Sequence, residues 1–274
     1  MTTVNGSGGV AIHVDDTGGD GRAVVLIHGW PLTGKSWAGQ VPAFQAAGFR
    51  VVTYDRRGFG DSDKPGTGND YDTFAADLAA VLEQLDLTDA TLVGFSMGGG
   101  EIARYIGTFG QDRLHSVVFA SAVPPYLLKT DDNPDGALDE ADVKGMQDGL
   151  RADREGFFDT FTTGFFSADG ELKVTEQDRQ DALELEKTAE LTAAVECIAA
   201  FGETDFRDDL TKVTVPTLVI HGDSDGTVPI EASGQRTHEA IAGSRLHVVA
   251  GGPHGITVSH TDEFNRVVLE FLAV

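Results

Sequence analysis

Short apolar runs that alternate with amphipathic stretches constrain the fold of this chain more than any other feature. Stretches such as 74–85 and 264–272 place apolar residues at the spacing of a helix. Unbroken apolar runs are typical of parallel strands covered on both faces. Their alternation with helices predicts an α/β fold, with a mostly parallel central sheet flanked by helices. The runs lie at 23–27, 50–54, 90–93, 114–120, 215–220 and 245–250.

One long segment interrupts this alternation. From about residue 124 to residue 210 we find no strand-like run. The segment opens with Pro124 and Pro125 and an acidic turn, and it continues with Glu- and Ala-rich sequence that favours helices. We therefore predict a core domain formed by residues 1–123 and 211–274, interrupted by a helical insertion of residues 124–210.

The charge of the chain excludes several classes of function. Of its 274 residues, 44 are Asp or Glu and 20 are Lys or Arg, which gives a net charge of −24. Such a chain cannot bind nucleic acid through a basic face, and anionic membrane surfaces would repel it. Residues 125–210 hold 23 of the acidic side chains and 8 of the basic ones.

The kind of charged residue suggests a saline environment. Asp outnumbers Glu by 29 to 15, and Lys occurs only 7 times. An Asp-rich, Lys-poor surface stays hydrated in molar salt, where screening also removes self-repulsion. We hypothesise a halophilic or halotolerant source, with an ordinary acidic mesophilic enzyme as the alternative.

Cysteine content and hydropathy add further expectations. The single cysteine, Cys197, cannot form an intramolecular disulfide or a Cys-based zinc site, and the eight histidines show no metal-ligand spacing. The first ten residues lack the basic and apolar regions of a signal peptide, and no apolar run has the length of a membrane span. We expect a soluble cytoplasmic protein without a bound metal.

The strongest local motif contains a serine between a strand and a helix. The pentapeptide Gly94-Phe95-Ser96-Met97-Gly98 follows the run at 90–93 and precedes a helical stretch. Its small residues permit a strained turn that exposes the serine Oγ. The first helical turn offers free N–H groups, that of Met97 among them, to an oxyanion. We predict Ser96 as a nucleophile; an inert serine in a Gly-rich turn is the alternative.

Two further loops supply a base and an acid. His254 lies in the loop that follows the run at 245–250, and Asp225 in the loop that follows the run at 215–220, with Asp223 as the fallback acid. Parallel sheets place their sites at such loops. The order Ser, Asp, His is that of an α/β-hydrolase triad. We expect His28 to brace the loop whose Trp30 N–H would be the second oxyanion donor.

Four motifs together resemble a known family. They are HGWPLTG at 28–34, YDRRGFG at 54–60, GFSMGGGE at 94–101 and GPHG at 252–255. They resemble the cofactor-free haloperoxidases, or non-haem chloroperoxidases, a branch of the α/β-hydrolase superfamily that includes aryl esterases, perhydrolases and a γ-lactamase. The resemblance runs from about residue 10 to the C-terminus. It implies a helical cap inserted after the sixth strand, no cofactor, the triad above and an oxyanion hole formed by the Trp30 and Met97 N–H groups.

The resemblance also implies an activity. Ester hydrolysis would proceed through an acyl-enzyme, and hydrogen peroxide in place of water would give a peracid that oxidises halide. In proteins similar to this one, a proline after the oxyanion Trp accompanies efficient perhydrolysis; Pro31 fits that pattern, although it could equally serve only to shape the loop. We interpret the segment 54–60 as a structural turn with a buried Asp–Arg interaction.

Aromatic residues of the insertion are candidates for a substrate pocket. Phe157, Phe161 and Phe165 share a helical face and, with Phe158 and Phe95, could wall an apolar acyl pocket. Ordinary packing of the insertion on the sheet explains them equally well.

Several other functions would use the same triad and are alternatives to an esterase. Lactonase, amidase of the γ-lactamase type and carbon–carbon bond hydrolase differ from an esterase in pocket shape. Ser96 argues against haloalkane dehalogenases and epoxide hydrolases, which need a carboxylate at that position. A ligand receptor or signalling protein of the same fold is the alternative outside enzymes. Self-association into a homo-oligomer is an expectation from the family alone.

Overall fold

The central sheet confirms the predicted α/β fold. The structure is a computed structural model that describes residues 2–273. Within that range the strands are β1 Thr2–Asn5, β2 Ala11–Asp16, β3 Ala23–Ile27, β4 Arg50–Tyr54, β5 Ala90–Phe95, β6 Leu114–Ala120, β7 Ser167–Ala168, β8 Glu171–Leu172, β9 Thr217–Gly222 and β10 Arg245–Val249. Eight of these ten form one sheet in the order β1-β2-β4-β3-β5-β6-β9-β10, in which β3 to β6, β9 and β10 run parallel.

Helices cover both faces of this sheet, and others form the insertion. They are α1 Val41–Ala46, α2 Tyr71–Gln84, α3 Met97–Phe109, α4 Glu140–Ala152, α5 Arg154–Phe165, α6 Glu176–Glu186, α7 Leu191–Glu203, α8 Arg207–Leu210, α9 Gly234–Ala240, α10 Ile256–Ser259 and α11 Thr261–Leu272. Among residues 2–273, none of these helices is both long and apolar enough to cross a membrane.

Alternate residues of the buried strands contribute to two separate hydrophobic cores. On β3, Val25 and Ile27 belong to the core beneath α2 and α3, whereas Val24 and Leu26 belong to the core beneath α1 and α11. All five residues of β3 are buried. Because successive side chains of a strand point to opposite faces, a strand between two layers must be apolar throughout.

The first two strands were not predicted. β1 and β2 pair antiparallel with each other, and β2 joins the sheet antiparallel to β4. Their buried residues alternate with partly exposed ones, as at Ile12 and Val14 in β2. They lie at the margin of the sheet, so they lack the unbroken apolar run that identified the interior strands.

The insertion consists of helices and one short β-hairpin. Helices α4 to α7 lie within residues 124–210, and both α4 and α6 begin at a capping box, at Asp139 and Thr175 respectively. The expectation of no strand there was wrong, because β7 and β8 form a hairpin that turns at Asp169 and Gly170, both with positive φ. Strands of two residues are too short for a sequence period to reveal. We propose residues 124–210 as the cap.

A buried carboxyl group lies where α5 contacts α6. The Thr162 hydroxyl is 2.6 Å from the Phe158 carbonyl and 2.6 Å from Glu186 Oε2. Glu186 is fully buried, and its Oε1 has no hydrogen-bond partner among residues 2–273. Burial raises the pKa of Glu186 to about 8, against the opposing contribution of Thr162. One hydroxyl proton cannot serve both acceptors, so a protonated Glu186 donates to Thr162.

Replacing Glu186 by Gln is expected to remove a pH-dependent loss of stability. The folded-state pKa of about 8 exceeds the ordinary value of 4.5, so the folded state retains a proton that the unfolded state has released. Stability therefore falls as the pH rises from 4.5 to 8, by about 3 kcal/mol between pH 5 and pH 8. Urea unfolding of wild type and Glu186→Gln across this range measures the difference. Glu184→Gln, exposed on the same helix, is the control. A wild-type-minus-variant difference that is independent of pH contradicts this assignment.

Candidate active site

Ser96 occupies the strained turn between β5 and α3. Its φ is 53° and its ψ is −118°, a conformation that residues with a side chain seldom adopt. The turn requires glycine on both sides. A Cβ at Gly94 would lie 2.5 Å from the Gly98 carbonyl oxygen, and one at Gly98 would lie 2.5 Å from the Ile27 carbonyl oxygen. The glycines of the motif thus let the chain close tightly around the serine.

The structure brings the three predicted triad residues together. His254 Nε2 is 2.9 Å from Ser96 Oγ, and His254 Nδ1 is 2.7 Å from Asp225 Oδ2. Asp225 Oδ1 accepts from the backbone N–H groups of Thr227 and Val228, at 2.9 and 2.8 Å. All three triad side chains are buried. This is the geometry that lets an imidazole remove a serine proton.

The fallback acid, Asp223, has a different environment. Its Oδ1 accepts from the Gly251 N–H at 2.7 Å, and its side chain is exposed. It thereby joins the loop after β9 to the loop after β10, whereas Asp225 is the carboxylate that contacts His254.

The electrostatics keep Asp225 ionised. Burial alone would raise the pKa of Asp225, but the charge of His254 and hydrogen bonds from His221 and His254 outweigh burial and hold that pKa below its usual value. His221 Nε2 lies 3.2 Å from Asp225 Oδ2 and 2.8 Å from the Val228 carbonyl. His221 was not among the site residues predicted from the sequence, and this contact was missed. The sequence feature that could have predicted this contact is the position of His221 at the end of β9, four residues before Asp225.

The loop that carries Trp30 approaches the nucleophile. A Cβ at Gly29 would lie 3.0 Å from the Ser96 Cβ, and Met97 begins α3 immediately after the serine. The Trp30 indole Nε1 donates to the Ala194 carbonyl of α7 at 3.0 Å, which joins this loop to the cap. The predicted oxyanion donors, the backbone N–H groups of Trp30 and Met97, therefore belong to segments on either side of Ser96.

His28 braces that loop through a buried ionic network. The Arg56 N–H donates to His28 Nε2 at 2.9 Å, and Arg56 Nη2 donates to the His28 carbonyl at 2.9 Å. Arg56 Nη2 also lies 2.8 Å from Glu101 Oε2, and the Tyr54 hydroxyl donates to Glu101. Burial, together with the Arg56 charge, lowers the pKa of His28 well below its usual value. A neutral His28 then donates from Nδ1 to the Gly29 carbonyl, 2.9 Å away.

The segment 54–60 takes part in a buried Asp–Arg interaction, as predicted, but the aspartate of that pair lies outside the segment. Asp55 accepts from the backbone N–H groups of Gly34 and Asp61, at 2.7 and 2.8 Å. Arg57 pairs instead with Asp77 of α2 at 2.6 Å, as Arg56 pairs with Glu101 of α3. A sequence pattern cannot identify partners that distant elements bring into contact.

A small apolar cavity adjoins Ser96. Its volume is about 40 Å³. Of the predicted aromatic set, Phe161 lines it, together with Phe201, which was not predicted. Several separate elements contribute its walls, which consist of Trp30, Ser96, Val123, Leu127, Leu138, Met146, Phe161, Phe201, Thr227 and Val228.

The other predicted pocket residues lie around this cavity. Phe157 stacks on Phe161 with centroids 6.4 Å apart, and the Phe158 ring lies 6.1 Å from that of Trp30. The rings of Phe95 and Phe165 contact His254, with centroids 5.2 and 5.0 Å away. Pro31 is buried and follows a cis peptide bond from Trp30.

One cluster in residues 2–273 has the spacing of metal ligands. Ligand atoms of His13, Asp55 and Asp61 lie within 4.8 Å of one another. The Lys35 ammonium group, however, is 3.0 Å from Asp61, and Asp55 already accepts from two backbone N–H groups. We assign no metal to this cluster.

Comparison with known proteins places the chain in a family. A family model described as the alpha/beta hydrolase fold matches residues 22–261. The chain is 46% identical to non-heme chloroperoxidase CPO-A1 of Kitasatospora aureofaciens, over 96% of each chain. It is 36% identical to the bifunctional esterase/perhydrolase DCH of Acinetobacter calcoaceticus, over 99% of each. The crystal structure of a bromoperoxidase from Bacillus anthracis superposes with a TM-score of 0.96 at 52% identity, covering 100% of this chain and 99% of that one.

Proposed function

The chain belongs to the alpha/beta hydrolase fold family, and from this premise we propose that it is a serine esterase that also forms peracids. The relatives confirm the resemblance to the non-haem haloperoxidases. The observation that carries the proposal is the hydrogen-bonded chain from Ser96 through His254 to Asp225 beside a small apolar cavity.

The proposed reaction uses each part of the site. His254, oriented by Asp225, takes the Ser96 proton while Oγ attacks the ester carbonyl carbon. The N–H groups of Trp30 and Met97 stabilise the oxyanion. When the intermediate collapses, the leaving oxygen takes the proton from His254 and an alcohol departs. Water activated by His254 then releases the acid and restores the serine.

The size of the cavity beside Ser96 favours a short acyl group. A water molecule occupies about 10–15 Å³ by the same measure. The 40 Å³ here therefore accommodates an acetyl or propionyl chain rather than a long one. The lining is almost entirely apolar, so it suits an alkyl chain better than a charged group.

A panel of substrates tests the esterase proposal. Acetate esters, lactones and amides are assayed with and without hydrogen peroxide, and we expect acetate esters to be the fastest. Faster turnover of a lactone or an amide would favour the lactonase or the γ-lactamase-type amidase. The absence of turnover on the whole panel would favour a receptor or signalling protein.

Peracid formation has its own test. Hydrogen peroxide would attack the acyl-enzyme in place of water, and the peracid released would oxidise halide in solution. The names of the relatives, among them an esterase/perhydrolase, support this step. Pro31 follows Trp30, the arrangement that the family resemblance links to efficient perhydrolysis. We expect bromination of monochlorodimedone to require acetate as well as peroxide. Bromination that is undiminished without any carboxylate would rule out the peracid route.

Thermal stability is expected to rise with salt. The net charge of −24 and the concentration of acidic residues in 125–210 support a halophilic or halotolerant source. In molar KCl the Debye length falls to about 3 Å, which screens the repulsion between exposed carboxylates. We expect the unfolding midpoint to rise from low salt to molar KCl. Sorbitol at equal osmolality is the control that separates the screening of charges by KCl from the general effect of an excluded solute. An unfolding midpoint that does not rise with KCl counts against halophily.

Assembly and location remain predictions from the sequence. We propose a cytoplasmic protein that can associate with copies of itself. Sedimentation velocity at several protein concentrations measures the association.

A further inference from the structure

A second buried histidine, His221, lies beside the acid of the triad and has no part in the reaction described above. It ends β9, and its side chain is fully buried. Its Nε2 lies 2.8 Å from the Val228 carbonyl oxygen and 3.2 Å from Asp225 Oδ2. Asp225 Oδ1 in turn accepts from the Val228 N–H at 2.8 Å. His221, Asp225 and Val228 therefore form a closed ring of polar contacts.

The Val228 carbonyl fixes the position of the proton on this imidazole. A carbonyl oxygen only accepts hydrogen bonds, so His221 Nε2 must carry a proton. The other ring nitrogen, Nδ1, has no hydrogen-bond partner among residues 2–273, and it faces Gly234 of α9, where a Cβ would lie 2.5 Å away. A second proton on Nδ1 would be buried without an acceptor, which costs free energy. We therefore expect a neutral His221 that donates from Nε2.

The His221 N–H acts on the carboxylate oxygen that orients the catalytic base. Asp225 Oδ2 lies 2.7 Å from His254 Nδ1 as well as 3.2 Å from His221 Nε2. An N–H group beside this oxygen partly offsets its negative charge, so the oxygen stabilises the imidazolium form of His254 less. Without the His221 N–H, His254 would keep its proton to a higher pH. A protonated His254 cannot take the proton of Ser96.

The two imidazoles and the carboxylate are isolated from other charges. Among residues 2–273, His221, Asp225 and His254 form ion pairs only with one another, and their side chains are at most 1% exposed. The rings of Phe95 from β5 and Phe165 from α5 contact His254. A change in the pH dependence of activity after substitution of His221 can therefore be assigned to its contacts with Asp225 and Val228.

We propose that His221 is a positioning residue of the triad, which fixes Asp225 and thereby sets the pH at which His254 becomes active as a base. This inference rests on the proposed esterase function and deepens it. The atom that matters is the N–H at the position of Nε2. Gln has an amide nitrogen two bonds beyond Cγ, as histidine Nε2 is, whereas the amide nitrogen of Asn corresponds to Nδ1.

Three substitutions of His221 test whether this N–H is required. The pH profile of kcat/KM for p-nitrophenyl acetate is measured for His221→Gln, His221→Asn and His221→Phe. We expect Asn and Phe to move the acid limb of the profile upward by about 0.5 pH unit or more, and Gln to hold it within about 0.2 unit of wild type. His238→Asn is the control, because the His238 ring contacts Ser244 instead of the triad, and it should leave the profile unchanged.

A purely structural role for His221 would give a different result. Such a role would lower the rate at every pH without moving the acid limb. An acid limb that stays in place or moves downward in folded His221→Asn or His221→Phe overturns the proposal. An upward shift in His221→Gln as large as that in His221→Asn also overturns it, because the N–H would then have no effect.

Heteronuclear NMR of the wild-type protein supplies a measurement that needs no variant. With the ring nitrogens of His221 assigned, we expect a neutral imidazole protonated at Nε2 from about pH 5 to about pH 9. A proton on Nδ1, or a change in the charge of His221 within this range, overturns the proposal. If wild type does not hydrolyse the ester, the proposed function fails, and the protonation of His221 can still be measured.

Discussion

Replacing Ser96 by Ala is expected to lower kcat for p-nitrophenyl acetate about a million-fold, close to the limit of detection. Without Oγ no acyl-enzyme forms, and His254 and Asp225 have no nucleophile to activate. The proposed oxyanion donors would still bind a carbonyl oxygen, so a small residual rate above that in water is expected. Initial rates with the ester in excess measure the loss.

A second serine supplies the control for this substitution. Ser116 is buried in β6, where its Oγ is 2.8 Å from the Thr91 hydroxyl. Ser116→Ala should keep the wild-type rate within about twofold while losing about 1 kcal/mol of stability. Mass spectrometry after reaction with an organophosphonate should add one adduct per chain to wild type and none to Ser96→Ala. A Ser96→Ala variant that retains its rate would contradict the serine mechanism.

The site residues that could be predicted are those that directly follow a recognisable strand in the sequence. Ser96, Asp225 and His254 each follow a strand that an apolar run makes visible, and the ends of parallel strands meet at one edge of a sheet. Their approach within hydrogen-bond distance follows from that topology. The strained turn at Ser96 could be predicted for the same reason, because its glycines adjoin it in the chain.

The walls of the catalytic cavity could be predicted only in part. Phe161 was found because three aromatic residues repeat at helical spacing, whereas Leu138, Met146 and Phe201 come from a loop and two other helices. Their convergence depends on how α4 and α7 pack on the core, which no periodicity within one element encodes. The same limit explains why the partners of Arg56 and Arg57, which lie on α3 and α2, could not be predicted.

Replacing Glu101 by Gln is expected to destabilise the fold by about 3–5 kcal/mol, because it leaves the buried Arg56 guanidinium without a counter-charge. Both side chains are at most 1% exposed. Burial raises the pKa of Glu101, while the Arg56 charge and hydrogen bonds from Tyr54 and Arg56 act in the opposite direction. Urea unfolding measures the loss. Asp148→Asn, at the exposed Lys144–Asp148 pair, is the control and should leave the urea midpoint close to that of wild type.

A double substitution separates the ionic pair from the packing of its side chains. If the cost of Glu101→Gln arises from an uncompensated charge, then Arg56→Met combined with Glu101→Leu should be more stable than either single substitution. The double variant nevertheless removes the Arg56 hydrogen bond to the His28 carbonyl, which holds the loop of Trp30. We therefore expect it to recover stability but not kcat, because the Trp30 N–H, the second proposed oxyanion donor, is no longer fixed. Equal recovery of both would show that the pair stabilises the fold without positioning that loop.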